Sequence, residues 1–219
     1  MSAWVALGWL WLLLTLVNLV TGLFMAAACV AAGVRPTVVR FHVGPGLLSF
    51  RVAGVRWSFG PLSFGTGITF TPEGQPEDEA HNPYLRLRLG RRLVVIASAA
   101  LGMLLVAGVC LGPGRALRDF GAGFEQVLNV PLAPERVRAF FALLQSEGFW
   151  TAMGVLATKL AVFNLLPLPP MPGFLLLREG LNGLRGKKPS DASSLLIWGL
   201  LPTLALTVSW IWGVYQGLS

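Results

Sequence analysis

Apolar residues run together in four long stretches, at 4–32, 93–111, 149–177 and 195–218. Each is long enough to cross a bilayer as a helix, for which 18 or so consecutive apolar residues suffice. The first is longer than the apolar core of a signal peptide and has no basic residue before it, so it is read as a retained span. Between the first two stretches the pattern changes. Val38-Val39-Arg40-Phe41-His42-Val43 and Leu48-Ser49-Phe50-Arg51-Val52 alternate or nearly alternate apolar and polar side chains, and Gly44-Pro45-Gly46 interrupts them. A period of two with glycine and proline punctuation predicts short strands and a hairpin over 37–70. Thr71 to Pro83 carries four acids and three prolines, a solvated loop. Within 113–148, the spacing from Pro134 to Leu144 predicts an amphipathic helix lying at the membrane interface. The expected fold is therefore an α-helical polytopic membrane protein of about four transmembrane helices, with a small β-hairpin after the first. A single domain covers 1–219.

Composition agrees. Of 219 residues 54% are hydrophobic and 12% charged, against about 25% charged in ordinary soluble domains. The mean hydropathy is +0.67. The formal charge of +7 raises a nucleic-acid reading, which its distribution removes. The first interspan segment holds eight arginines against four acids, whereas the second balances Arg115, Arg118, Arg136 and Arg138 with Asp119, Glu125, Glu135 and Glu147. Cations concentrate in the segments that stay in the cytoplasm. This places the first and third loops inside and both termini outside. The lipid bilayer is the expected surrounding, and no nucleic acid is expected. Cys29 and Cys110 both sit in apolar runs and read as small hydrophobes.

The chain's most specific stretch lies in the third apolar run: Asn164-Leu165-Leu166-Pro167-Leu168-Pro169-Pro170-Met171-Pro172-Gly173. Its prolines cannot continue a helix. In lipid such a break must lie against protein or line a polar cavity. The stretch resembles the second signature of the site-2 protease family of intramembrane zinc metalloproteases, N-x-x-P-x-P-x-x-D-G. Asn164, Pro167, Pro169 and Gly173 match, and Pro172 stands where the aspartate belongs. The strands after the first span resemble the family's membrane-associated sheet, which is thought to help receive an extended substrate. The resemblance covers most of the chain. The second span has Ala99-Ala100-Leu101-Gly102-Met103 where relatives show G-P-x-x-N.

The resemblance implies a first signature H-E-x-x-H, two zinc-binding histidines one turn apart with a glutamate as general base, completed by the aspartate of the second. Counting back from Gly33, that window falls on Thr21-Gly22-Leu23-Phe24-Met25. Thr21, Gly22, Met25 and Pro172 then occupy the catalytic and ligand positions, and none can do their chemistry. No other register supplies them, because no histidine precedes His42 and no carboxylate precedes Glu73. His42 and His81 lie far apart in the first loop and read as solvated polar residues. No catalytic residue, no metal ligand and no cofactor is expected, although the family implies zinc.

The expected function is that of a site-2 protease-like membrane protein that binds or presents a transmembrane or extended peptide partner without cleaving it. Asn164, Pro167 and Pro169 are the candidate groove residues, with Lys159 nearby and Gly44, Pro45 and Gly46 in the hairpin. Two readings of Asn164 and its prolines stay open: a retained receiving groove, or a break that the fold requires. Lys159, the charged residue within a span, either lines a cavity or snorkels to an interface. The rival functions are an active intramembrane metalloendopeptidase, which would need ligands from another chain, and a small transporter or channel subunit. The expected location is the bacterial cytoplasmic membrane.

Overall fold

The computed structural model describes residues 2–44, 46–71, 82–186 and 193–218. Among them three helices are long and apolar enough to cross a membrane: Trp4–Ala32, Leu89–Leu111 and Gly148–Leu165. They belong to α1 (Ala3–Ala32), α2 (Leu89–Leu111) and α5 (Gly148–Leu165). The expected fourth span forms α7 (Ser193–Leu218), a 26-residue helix that contains Pro202. Four strands follow α1: β1 (Val38–Val43), β2 (Leu48–Val52), β3 (Val55–Phe59) and β4 (Leu62–Thr69).

The third apolar run is interrupted at its prolines: α5 stops at Leu165 and a separate helix, α6 (Pro172–Leu184), follows and carries Arg178 and Glu179 beyond 177. One expectation changes. Where one amphipathic helix was expected in 113–148 there are two, α3 (Pro113–Leu128) and α4 (Ala133–Ser146). Gly112, with a positive φ of 79°, and Pro113 break the chain after α2, and Pro113 at the first helical position then starts α3.

The chain forms two compact units. One contains Leu14–Gly102 and Leu176–Ser190. Here the four strands make one sheet in the order β2-β3-β1-β4, with β1 parallel to β3 and the other pairs antiparallel. Ala53 and Gly54 join β2 to β3, and both have positive φ, 52° and 79°. That two-residue geometry matches the twist of a tight hairpin. Val39, Phe41, Val55, Trp57, Phe59 and Ile68 form the apolar face of the sheet and pack with Leu19 and Ala26 of α1. The rings of Phe41 and Phe59 stack with centroids 4.8 Å apart. Thr37 Oγ1 donates to the carbonyls of Thr69 (2.8 Å) and Thr71 (3.0 Å), closing the sheet's base.

The far end of α1 is tied down in the same unit. Arg91 Nη1 donates to the carbonyl of Ala32 at 3.2 Å, satisfying one of the helix's terminal acceptors. Below it Arg92 and Glu179, both buried, approach to 3.3 Å, and Arg178 reaches the other oxygen of Glu179 at 3.2 Å. Tyr84, on a short 3-10 turn, lies beside this cluster and stacks on Phe70. Burial, and then the Glu179 carboxylate, push the Tyr84 phenol up to about 12. In a Tyr215→Phe protein, which leaves one tyrosine, the phenolate absorbance is expected to rise near pH 12. Because the folded state holds the proton more tightly than the unfolded chain, stability falls as pH rises from about 10. A rise in absorbance near pH 10 in the folded protein would contradict the packing described.

The other unit contains Met1–Leu13, Met103–Leu175 and Asp191–Ser219. Its helices approach through small residues, as membrane helices do. A Cβ added at Gly154 of α5 would lie 2.6 Å from Leu111 Cγ of α2, and one at Gly213 of α7 would lie 2.5 Å from the Cβ of Ala133 in α4. Trp210 Nε1 donates to the carbonyl of Val127 at 2.9 Å, joining α7 to α3.

Candidate functional site

The residues singled out from the sequence divide between the two units. Thr21, Gly22, Met25, Gly44 and Gly46 lie in the sheet-bearing unit, and Lys159, Asn164, Pro167, Pro169 and Pro172 in the helical one. Pro45 and His81 lie outside the described residues.

On α1, Gly22 faces the apolar side of the sheet. A Cβ at this position would overlap Phe41 Cε1 and lie 2.8 Å from Thr66 Cγ2. Phe41 is fully buried there, and Thr66 Oγ1 donates to the carbonyl of Asn18, one turn away, at 3.2 Å. The place a glutamate side chain would occupy is thus filled by an aromatic ring and a methyl group. Thr21 Oγ1 is buried without a hydrogen-bond partner among the described residues. Met25 is half-buried. A hydroxyl, a missing side chain and a thioether are not the donor set of zinc, which takes thiolate, imidazole or carboxylate. Among the described residues no group of three or more His, Cys, Asp or Glu is placed to hold a metal. His42 lies in β1. The family's zinc does not fit these residues.

The hairpin glycines have local reasons. Gly44 adopts a φ of 111°, a conformation side chains disfavour, and a Cβ there would press on Pro61 at 3.1 Å. Leu47 N–H donates to the Phe59 carbonyl at 2.8 Å, and Gly46 stands next to that bond with room only for hydrogen, since a Cβ would lie 2.8 Å from Ser58 Oγ.

In the helical unit, Asn164 occupies the last turn of α5. Its Nδ2 donates to the Leu160 carbonyl at 2.8 Å and approaches Met103 Sδ of α2 at 3.5 Å. Leu166 then turns extended, and Pro167 is exposed. Pro169 is buried, precedes a cis peptide bond to Pro170, and accepts a hydrogen bond on its carbonyl from Thr203 Oγ1 of α7. One carbonyl of the break is thus satisfied by a neighbouring helix, as lipid demands. Pro172 begins α6, and the glycine of the signature, Gly173, sits so close to the end of α5 that any Cβ would overlap the Leu165 carbonyl. Lys159 points elsewhere. Its Nζ lies 3.5 Å from the Asp119 carbonyl on α3. Five residues turn a helix by about 140° beyond a full revolution, so Lys159 contacts α3 while Asn164 contacts α2. The two are not brought onto one face.

Two features escaped the sequence. The ring that fills the Gly22 position comes from a strand 19 residues on, and no spacing signals it. The buried Arg92–Glu179–Arg178 cluster joins α2 and α6, whose charges lie more than 80 residues apart in the chain. The juxtaposed Arg178-Glu179 at the edge of an apolar run was its faint signal.

None of the curated proteins compared with the chain matches it. The profile of peptidase family M50 matches residues 24–206, starting just after Thr21 and Gly22 and taking in the strands, the Asn164–Gly173 signature and the first half of α7. On a match over most of its length, this integral membrane protein belongs to peptidase family M50, the site-2 protease family.

Proposed function

We propose that this chain is a non-catalytic member of the family, which binds or presents a transmembrane or extended peptide without cleaving it. The observation that carries the reading is the Phe41 ring packed where a side chain at Gly22 would stand. A general base one residue from a metal ligand needs room for a water between them, and here that room is taken by a core contact.

The element left to receive a peptide is the edge of the sheet. β2 pairs on one side only, with β3, and Leu48, Phe50 and Val52 on it are 60%, 45% and 55% exposed. An open strand edge supplies backbone donors and acceptors at every second residue, and alternating apolar side chains read the guest. Affinity of this kind requires no catalytic group. Asn164 contributes by holding the end of α5 in place, since its amide is engaged within the protein.

Two measurements test the reading. Zinc content, by mass spectrometry after equilibration and removal of excess metal, is expected to be far below one per chain. Stoichiometric zinc would overturn the reading and return the metallopeptidase, with donors from elsewhere. A photo-crosslinking residue at Phe50 is expected to capture an intact membrane protein that the same residue at Val109, exposed on α2, does not. Equal capture at both positions, or capture of a cleaved product, would count against it.

A further inference from the structure

We propose that the outer face of the sheet is a binding site for anionic phospholipid, held at the phosphate by Arg40 and Arg51. Strand side chains alternate between faces. With Val39, Phe41, Trp57 and Phe59 turned to α1, the opposite face presents Arg40 of β1, Ser49 and Arg51 of β2, and Arg56 and Ser58 of β3. The register sets Arg51 directly across from Arg56, and sets Ser49, Ser58 and Arg40 in one row across three strands. Arg40 and Arg51 are exposed. Neither forms an ion pair among the described residues, and no carboxylate precedes Glu73 in the chain. The planar guanidinium forks of Arg40 and Arg51 suit phosphate oxygens.

The position of the sheet identifies the source of that phosphate. Phe41 meets α1 at Gly22, and Thr66 bonds it at Asn18. Gly22 lies ten residues before the end of the span at Ala32, about 15 Å along the helix axis. The sheet therefore runs back beside a membrane helix, and Arg40, next to Phe41 in β1, stands at a level where an uncompensated cation is costly. Headgroups and water drawn in by local thinning of the bilayer relieve that cost. The positive-inside bias accounts for basic residues in this segment, but not for their collection on one face of a sheet packed against a span.

The full chain, purified and equilibrated in mixed phosphatidylglycerol and phosphatidylcholine micelles, tests this by native mass spectrometry of the retained lipid. The wild-type protein is expected to keep phosphatidylglycerol preferentially. Arg40→Gln with Arg51→Gln is expected to weaken that retention roughly fivefold per arginine removed. Arg118→Gln, which deletes an exposed charge on α3, leaves it unchanged. Arg51→Gln alone, on the exposed edge strand, gives the single-step loss should the double variant fold poorly. The lysine pair Arg40→Lys and Arg51→Lys restores most of the retention. No lipid preference in the wild type overturns the proposal. So does equal loss in the Arg118 variant, or an acidic protein bound at the arginines in place of lipid.

Discussion

Glu179→Ala is expected to lower the stability of the protein by about 3–5 kcal/mol, the largest single effect in the molecule. The carboxylate is buried between two guanidinium groups, Arg92 at 3.3 Å and Arg178 at 3.2 Å, and Arg92 itself has a side chain only 9% exposed. Removing the anion leaves a buried cation whose Nε and Nη1 already have no acceptor among the described residues. The Coulomb term and the desolvation of two ions nearly cancel while the pair is intact; breaking it keeps the desolvation and loses the attraction. Unfolding in detergent, followed by tryptophan fluorescence, reads the change as a fall in the midpoint on the order of 10 °C. Glu179→Gln, which keeps an acceptor, is expected to fall between. A combined Arg92→Met and Glu179→Leu protein is expected to recover most of the loss, because apolar groups of similar volume need no partner. A midpoint unchanged by Glu179→Ala would mean that water reaches the cluster and the charges are screened.

Rebuilding the family's signatures is expected to fail. The substitutions Thr21→His, Gly22→Glu, Met25→His and Pro172→Asp supply every donor that the sequence lacks. Yet the glutamate must displace the Phe41 ring, which is fully buried and stacked on Phe59. Overpacking of this kind costs about 1–3 kcal/mol for small insertions, and a glutamate adds an unpaired charge to the apolar contact. The expected result is a destabilised protein without stoichiometric zinc. Gly22→Ala alone, which adds the one carbon that overlaps the ring, is expected to be destabilising too, and Phe41→Ala to relieve it. Stoichiometric zinc in the rebuilt chain would show that the sheet yields easily and that Phe41 does not bar the position.

Much of the architecture was legible in the chain. Runs such as Leu93–Leu111 fix helices because lipid leaves an apolar segment no other way to satisfy its backbone. The alternation in Leu48–Val52 marks a strand for an equally local reason. Legibility stopped where local rules compete. A proline such as Pro113 ends one helix as readily as it begins the next, so α3 is not legible from local pattern. The prolines from 167 to 172 marked the end of α5, but not that the chain resumes as a helix carrying Arg178 and Glu179.

The sequence by itself determined that this is a membrane protein of the site-2 protease family, and that Thr21, Gly22, Met25 and Pro172 stand where the resemblance puts the family's signatures. Those are statements about residue types and spacing, which need no coordinates. Only the tertiary structure decided what surrounds those positions. It placed Phe41 over Gly22, turned Lys159 to α3 and Asn164 to α2, closed Glu179 between two arginines, and gathered Arg40 and Arg51 on one face. Each of these depends on contacts between residues distant in the chain, where the balance of packing and charge, rather than any local pattern, selects the partner.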